Sequence, residues 1–454
     1  KASGESAYWL LNLIGTSWSQ ALLTSQILLV PIKRFSVFVL GIVIATGYWG
    51  ESAPLLNFSP TFIWIIWWVG MSIFIALIGN VWALINPWKI LFGWAEGLYQ
   101  LARSGKNLSL NRPYPTKLGI WPALALFGVY TWIQDSYPKS DIPSHIATMV
   151  AIYSIFTLIG MFVVGKNKWL RHGEAFSVVF SLLARFSATE VRVNSQDSCQ
   201  ACSTNCRDHS GECIDCYECF EKANCREINM GPLAIGLDRD ETIMNDVLAL
   251  VVLMLATVTF DGFSATAAWA EFQTVILDIF GTGGGQMFNS LVLADTIGVF
   301  LMPVAFFVVY LFFSKIMSNS VDGRTSTLEM ARIFGYSLIP IALAYNIAHF
   351  ITLLLIQGQL IIPLASDPFG SGWDLFGTAD YSLNIAIINA LVLWFLSVSL
   401  IVLGHVLAVY LAHRVAIRTF SDRALVLKSQ YPMLALMVLY TIVSLWIIAQ
   451  PIVL

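Results

Sequence analysis

All seven cysteines of the 454-residue chain fall in one short stretch, residues 199–225. The stretch contains two C-x2-C pairs, which place thiolates on tight turns where several can bind one metal ion. Two zinc ions that share a thiolate need about seven cysteines, whereas two four-iron clusters need about eight ligands, the last of which His209 could supply. We therefore predict a metal site, with zinc as the first choice, an iron–sulfur cluster as the alternative and disulfides as the remaining interpretation. The predicted ligands are Cys199, Cys202, Cys206, Cys213, Cys216, Cys219, Cys225 and His209.

These cysteines lie in the only sizeable polar segment, residues 189–242, which is rich in acidic residues and poor in aliphatic ones. A segment of about fifty residues with so little apolar content cannot build a hydrophobic core of its own. The run from Cys213 to Cys219 opens like a four-iron ferredoxin motif, but the next cysteine comes after five residues and no proline follows it. We therefore expect a bound metal to hold this segment together in a structural role.

The rest of the chain is strongly apolar, since 57% of all residues are hydrophobic and only 12% are charged. A soluble domain has about a quarter of its residues charged, so the composition predicts an all-α integral membrane protein whose main partner is the lipid bilayer. We predict about ten transmembrane helices with interfacial helices and one Cys-rich cytoplasmic insert. The net charge of −3 argues against a nucleic-acid partner and leaves protein partners in a membrane complex open. The predicted spans are 8–31, 35–50 (after a tight turn at Lys33 and Arg34), 62–85, 119–136, 143–165, 243–263, 291–314, 333–356, 384–412 and 429–451.

The distribution of Lys and Arg predicts the orientation of these helices. Positive charges concentrate in residues 86–118 and 166–171 and in alternate loops after them, whereas residues 357–383 contain none. Positive loops face the cytoplasm, so we predict a multi-pass protein of the cell inner membrane with both termini outside and the Cys-rich insert cytoplasmic. This arrangement makes residues 174–188 an interfacial or re-entrant helix, and residues 88–103 another interfacial helix. The predicted parts are 1–188 (N-terminal membrane helices), 189–242 (Cys-rich metal-binding insert) and 243–454 (C-terminal membrane helices).

A second group of chemically capable residues falls near the predicted outward ends of different helices. Ionisable groups inside a membrane are costly and usually face a bundle interior or a water-filled cavity. Histidine together with carboxylates can bind Zn, Fe, Mn or Cu, so we predict an outward-facing polar site. The simpler interpretation is that these are helix-end residues in contact with water. The predicted catalytic residues are Asp261, Asp295, His349 and His145, with Asp135 and Asn346 beside them.

Several stretches together resemble a family of prokaryotic polytopic membrane proteins, some members of which are labelled fenitrothion hydrolase-like. The resemblance covers most of the chain, and the label implies phosphotriester hydrolysis by name alone. The stretches are NPWKILFGW at 86–94, RHGEAFSVVFSLLARF at 171–186, GECIDCYECFEKA at 211–223, TFDGFSAT at 259–266, AHF at 348–350, SDPFGSGWDLFGTA at 366–379 and GHVLAVYLAHR at 404–414.

Three functions therefore stay open. The first is a metal-dependent membrane enzyme or redox protein, because metal-type ligands are predicted on both faces. The second is a transporter or channel for a cation or a small solute, with Asp261, Asp295 and His349 lining a cavity. The third is a non-catalytic subunit of a larger membrane complex. The sequence has no P-loop, GxSxG or HExxH motif, so we do not expect it to hydrolyse nucleotides.

Overall fold

The structure is a computed structural model that describes residues 10–103, 105–193, 202, 213–223, 225–239, 241–280, 290–321 and 325–450. Within these residues it is a helical protein with eight helices long and apolar enough to cross a membrane. The chain forms two compact units. Unit 1 comprises Lys1–Ala123, Asp141–Arg239 and Leu360–Ser382, and unit 2 comprises Leu124–Ser140, Asp240–Gln359 and Leu383–Leu454.

Helices account for most of both units. In chain order they are α1 Ser17–Leu23, α2 Gln26–Trp49, α3 Phe58–Leu77, α4 Trp82–Ile85, α5 Pro87–Ala102, α6 Trp121–Ser136, α7 Pro143–Val164, α8 Lys166–His172, α9 Ala175–Phe186, α10 Tyr217–Lys222, α11 Asn245–Ser264, α12 Ala267–Phe280, α13 Ser290–Ser320, α14 Thr327–Phe334, α15 Ile339–Ile356, α16 Ile361–Ser366, α17 Ala390–Thr419 and α18 Arg423–Ala449.

The described part of the chain has fewer candidate spans than the ten predicted, for two reasons. The turn predicted at Lys33 and Arg34 is wrong, because α2 runs through both residues. The break lies earlier, where the Ser25 hydroxyl caps α2 by accepting from the Ile27 N–H at 3.2 Å. The helix predicted at 119–136 exists as α6, but its sixteen residues are only about 24 Å long, less than the hydrocarbon thickness of about 30 Å.

A small antiparallel sheet, which the sequence did not lead us to expect, stands beside the helices of unit 1. Its strands are β1 Leu11–Asn12, β2 Thr189–Val193, β3 Cys213–Ile214 and β4 Arg226–Met230, in the order β1-β4-β2-β3. Three strands come from the Cys-rich insert, and β1 comes from the N-terminal segment. The central pair is in register from Thr189 opposite Met230 to Val193 opposite Arg226.

The sheet corrects the predicted placement of the N-terminal segment. Leu11 pairs with Met230 and Asn12 with Asn229, so β1 extends the sheet of the insert. Strands that share backbone hydrogen bonds lie on one side of a membrane, because a bilayer core holds no open sheet. This pairing does not fit the predicted combination of an N-terminus outside and a cytoplasmic insert.

Helices α8 and α9 form a hairpin that enters unit 1 and returns. Glu174, at the turn between them, accepts a hydrogen bond from the hydroxyl of Tyr153, which lies about three turns before the end of α7. The chain then comes back to Ala188, whose N–H donates to the carbonyl of Leu77 at the end of α3 (3.2 Å). Most of α9 is buried. Residues 174–188 are thus packed inside unit 1, and whether they are re-entrant or interfacial stays a prediction.

Unit 2 is a bundle in which α11, α13, α15, α17 and α18 pack against one another. Small residues permit close helix approach: a Cβ placed on Gly404 of α17 would overlap Ala344 and lie 2.7 Å from the carbonyl oxygen of Pro340 on α15. Phe260 of α11, Trp269 of α12 and Val299 of α13 form a buried cluster, with Trp132 of α6 packed against it. This cluster brings α12 together with the three helices that carry Asp135, Asp261 and Asp295.

Candidate functional sites

Three of the predicted cysteine ligands converge in the insert. The sulfur atoms of Cys202, Cys216 and Cys219 all lie within 4.8 Å of one another, and Cys202 Sγ is 3.7 Å from Cys216 Sγ. Cys216 is the residue just before α10 and Cys219 lies in its first turn. The tight turn that leads from β3 into α10 contains Asp215, whose positive φ of 55° lies in the left-handed region. No disulfide joins the described cysteines, and the group could hold a metal ion.

The thiol group is largely shielded from water. Cys219 is fully buried and Cys216 is 8% exposed, and burial raises the pKa of the Cys216 thiol, with the neighbouring Cys202 sulfur adding to the effect. Bare thiolates are therefore disfavoured there, and a cation that compensates their charge would reverse this. Glu218 Oε2 lies 3.5 Å from Cys202 Sγ, and Lys222 forms an ion pair with Glu218 at 2.9 Å.

The other predicted cysteine ligands do not join this group or cannot be placed. Cys213 is buried beside it on β3, and Cys225 is exposed. Neither belongs to the convergent trio. Cys199, Cys206 and His209 lie outside the described residues.

Two ionic contacts hold the insert in place, and the sequence analysis missed both. Arg239 pairs with Asp215 at 2.7 Å and with the buried Glu190 at 3.4 Å, which fixes the turn before α10 against β2. Lys89 on α5 pairs with Glu221 on α10 at 2.6 Å and donates to the carbonyl of Ala83 at 2.8 Å. The second contact ties the helix that carries Cys219 to a membrane-proximal helix. Partners so distant in sequence leave no local pattern.

In unit 2, two of the predicted catalytic residues are in direct contact. His349 Nε2 of α15 and Asp261 Oδ2 of α11 lie 2.7 Å apart, in hydrogen-bonding distance. Each side chain is 25% exposed, so the pair is partly shielded and still reachable. Both helices are candidate membrane spans.

Two further predicted carboxylates lie on neighbouring helices of unit 2. Asp295 of α13 accepts hydrogen bonds from Trp269 Nε1 and Gln273 Nε2, both at 2.9 Å. Asp135 lies near the end of α6, and this end is anchored to α13 by Trp132, which donates to Thr296 at 2.9 Å. Of the predicted residues, Asp261 and His349 are in direct contact, and the catalytic role of the group stays a prediction.

Several oxygen atoms of this cluster are buried with no hydrogen-bond partner in the described part of the chain: Asp135 Oδ1, Asn346 Oδ1 and the Tyr345 hydroxyl. Tyr345 is 1% exposed. A Cβ on Gly262 would overlap its hydroxyl, which places that oxygen against α11 at Gly262. Buried polar atoms are normally paired, so these three acceptors are available to a ligand. Tyr345 was not predicted, because a tyrosine in an apolar helix looks like an ordinary core residue.

His145 belongs to unit 1, where it lies in the first turn of α7, and it is therefore described apart from the cluster of unit 2. Among the described residues, the cysteine trio is the one group of three or more His, Cys, Asp or Glu side chains that meets metal-ligand spacing. The Asp and His side chains of unit 2 do not converge in that way.

A second buried carboxylate lies in unit 1. Glu174 is fully buried and accepts from Tyr153, from the N–H groups of Phe176 and Ser177 (3.0 and 2.7 Å), and from Asn86 Nδ2 at 3.4 Å. Burial raises the pKa of its carboxyl, although these hydrogen bonds oppose the effect.

Comparison with protein-family models, with curated proteins and with solved structures finds no match for this chain.

Proposed function

We propose that this protein is a membrane transport protein that takes up and releases protons at the Asp261–His349 pair, and that its cysteine group is a structural zinc site. The observation that carries the first part is the 2.7 Å contact between an imidazole and a carboxylate on two candidate spanning helices. Ionisable residues within membrane spans usually belong to ion or proton pathways. Histidine changes charge near neutral pH, which suits a group that must both bind and release a proton.

The same geometry favours transport over the metal-dependent enzyme. Phosphotriester hydrolysis on a metal, the activity implied by the family resemblance, needs three protein ligands on the ion and an open position for water. In unit 2 the described side chains of Asp261 and His349 form a hydrogen-bonded pair instead. An imidazole that shares a proton with a carboxylate is not free to bind a metal through the same nitrogen.

The choice of zinc rests on the spacing of the sulfur atoms. Four thiolates at about 2.3 Å from one zinc ion are about 3.8 Å apart, because a tetrahedron's edge is about 1.6 times the centre-to-corner distance. Cys202 and Cys216 are 3.7 Å apart. In a four-iron cluster each thiolate binds a different iron, so the thiolates lie further apart than this. The C-x2-C spacing makes Cys199 the first choice for a fourth ligand.

The sidedness of the insert is also a proposal. Leu110, in the positively charged segment 86–118, lies at the end of unit 1 where α7 ends, since its N–H donates to the Phe162 carbonyl at 2.8 Å. The Lys89–Glu221 pair joins the insert to the same segment, which supports the proposal. Positive loops face the cytoplasm, so we assign the insert and the strand β1 to the cytoplasmic side of an inner membrane.

Proton transport is tested with purified protein in sealed vesicles that hold a pH-sensitive dye, with equal concentrations of sodium and potassium salts on both sides. An acid pulse outside should acidify the interior faster than in protein-free vesicles. Asp261→Asn and His349→Gln should abolish this excess flux. Two exposed residues provide matched controls, Asp278→Asn on α12 and His413→Gln on α17. Vesicles with the wild-type protein that behave like protein-free vesicles would refute proton transport.

A further inference from the structure

We infer that residues 86–118 of unit 1, the basic segment, form a binding surface for anionic phospholipids at the end of a membrane span. Exposed cations of the segment hold the lipid phosphates, and exposed apolar side chains beside them enter the bilayer. The cations are Arg103, Lys106, Arg112 and Lys117. The inference goes beyond the proposed function and depends neither on proton transport nor on the zinc site.

The first observation is where the segment meets a spanning helix. The N–H groups of Leu110 and Arg112 donate to the carbonyls of Phe162 and Val163 at 2.8 and 2.9 Å. These carbonyls belong to the last turn of α7, where a helix leaves carbonyl groups without partners of their own. The 22 residues of α7 are about 33 Å long, which matches the hydrocarbon thickness of about 30 Å. Leu110 and Arg112 therefore lie at the boundary between the lipid chains and their headgroups.

The second observation is that the following part of the segment is held at this boundary. The Tyr114 hydroxyl donates to the Gly119 carbonyl at 2.9 Å, and Lys117 lies within the turn that this bond closes. The ring of Tyr114 stacks on that of His172 in α8, with centroids 5.0 Å apart. Helix α8 follows α7 after a single residue. The turn that carries Lys117 is thus fixed beside the end of the span.

The third observation is an excess of positive charge without partners. The only acidic residue of the basic segment is Glu96, and it already pairs with Lys166 at 3.3 Å. Lys89 pairs with Glu221 at 2.6 Å. The four remaining cations of the segment are exposed and form no ion pair in the described part of the chain. Anionic groups at the membrane boundary would complement this charge, because each basic residue near such a surface is attracted to it.

The apolar side chains of the segment favour a lipid over any soluble anion. Trp94, Leu98 and Leu101 follow one another at i, i+4 and i+7, so they share one face of α5. Leu98 is 70% exposed and Leu101 is 85% exposed. This stripe ends beside Arg103, the pattern of a helix that lies in a membrane interface. A nucleic acid or free phosphate would leave the stripe in water, whereas a bilayer covers it.

The test titrates the purified full chain in nonionic detergent with lipid and counts the bound lipids by native mass spectrometry. Dioleoylphosphatidylglycerol should bind at least about tenfold more tightly than dioleoylphosphatidylcholine, which has the same chains and no net charge. Each of Arg103→Gln, Lys106→Gln, Arg112→Gln and Lys117→Gln should weaken phosphatidylglycerol binding by about fivefold, which corresponds to about 1 kcal/mol per basic residue. Lys139→Gln, which removes an exposed charge outside the segment, is the matched control and should change neither affinity.

Two further variants separate charge from fold and from apolar contact. Arg112→Lys keeps the charge and should bind phosphatidylglycerol like the wild type. Leu101→Gln shortens the apolar stripe and should weaken the binding of both lipids. Raising sodium chloride from about 0.05 M to about 0.5 M should weaken phosphatidylglycerol binding, because salt screens exposed charges.

Equal affinity for the two lipids, an equal loss in Lys139→Gln, or phosphatidylglycerol binding that salt leaves unchanged would overturn the inference. Displacement of phosphatidylglycerol by inorganic phosphate would show a site for the free anion and refute the lipid surface. The measurement involves no proton flux, so failure of this inference and failure of the proposed transport are told apart.

Discussion

Cys202 Sγ and Cys216 Sγ lie 3.7 Å apart, although fourteen positions separate these residues in the chain. Cys219, in the first turn of α10, completes a group of three sulfurs in which Cys216 and Cys219 are buried and Cys202 is partly exposed. The fold of the insert thus brings together thiols from two C-x2-C pairs. In such an arrangement a bound metal ion can stabilise a segment that has too few apolar residues to form its own core.

We predict that Cys216→Ser removes the metal and loosens the insert. Loss of a residue that only hydrogen-bonds to a metal ligand weakens metal binding by about 10–100-fold. Loss of the ligand itself should weaken zinc binding by more than this. Because metal binding stabilises such a segment directly, the insert should also loosen. Elemental analysis should find about one zinc ion less per chain, and limited proteolysis should cut new sites within residues 189–242. The control is Cys225→Ser, which removes an exposed cysteine outside the trio. Equal metal content in both variants would contradict the assignment.

We predict that the N-terminal strand and the insert are reached from the same side of the membrane. Leu11 is 57% exposed and pairs with Met230, and Cys225 is exposed in the insert. In sealed vesicles, a membrane-impermeant maleimide should label Leu11→Cys, made in a Cys225→Ser background, from the same side that labels native Cys225. Mass spectrometry of the labelled peptides gives the result. Labelling from opposite sides would show that β1 does not pair with β4.

We predict that Glu174→Gln changes how the stability of the protein depends on pH. Burial raises the folded-state pKa of Glu174 above the unfolded value of about 4.3. The wild-type carboxyl therefore contributes its stability below about pH 4.3 and loses it as pH rises through the folded-state pKa. Glutamine keeps one acceptor oxygen and does not titrate.

The stability advantage of wild type over Glu174→Gln should consequently shrink as the pH rises above about 4.3. Denaturant unfolding of the detergent-solubilised protein at several pH values measures it. Glu329→Gln, at an exposed position in the first turn of α14, controls for the loss of one carboxylate. A constant difference across this range would show that Glu174 is charged in the folded state throughout.

We predict that Gly404→Ala destabilises unit 2 by about 1–3 kcal/mol, the usual effect of overpacking. The added Cβ would overlap Ala344 and approach the Pro340 carbonyl oxygen to 2.7 Å, and backbone atoms cannot move aside easily. Thermal unfolding should detect the change. The matched control is Gly41→Ala on α2, where nothing lies within 4 Å of the new atom. If both variants unfold alike, α15 and α17 do not approach closely.

The sequence predicted those parts of the fold that local pattern determines. Apolar length indicated the helical membrane class, and cysteine spacing indicated the sulfur group. The pairing of Leu11 with Met230 was missed, because a two-residue strand has no periodicity and its partner is distant in sequence. Lys33 and Arg34 suggested a turn, yet long basic side chains can extend from a continuous helix to the membrane surface.

The candidate site of unit 2 shows the same limit. Asp261 and His349 were predicted as a group because ionisable residues are rare in apolar helices, and the structure places them in contact. Tyr345 was not predicted, since only the Gly262 contact shows where its hydroxyl points. The charged residues of the site could thus be predicted from residue type alone. The neutral Tyr345 could be identified only from the way the helices pack.

The edge position of β1 also has a consequence for biosynthesis. Residues 11 and 12 leave the ribosome roughly two hundred residues before the strand β4 that pairs with them. Pairing over such a distance must wait until the intervening chain has been made. The sheet can therefore be completed only after α2, α3 and α7 have been synthesised. A nascent chain that stalls before residue 226 would leave the N-terminal segment without its hydrogen-bonding partner, exposed to proteases and to other unpaired strands.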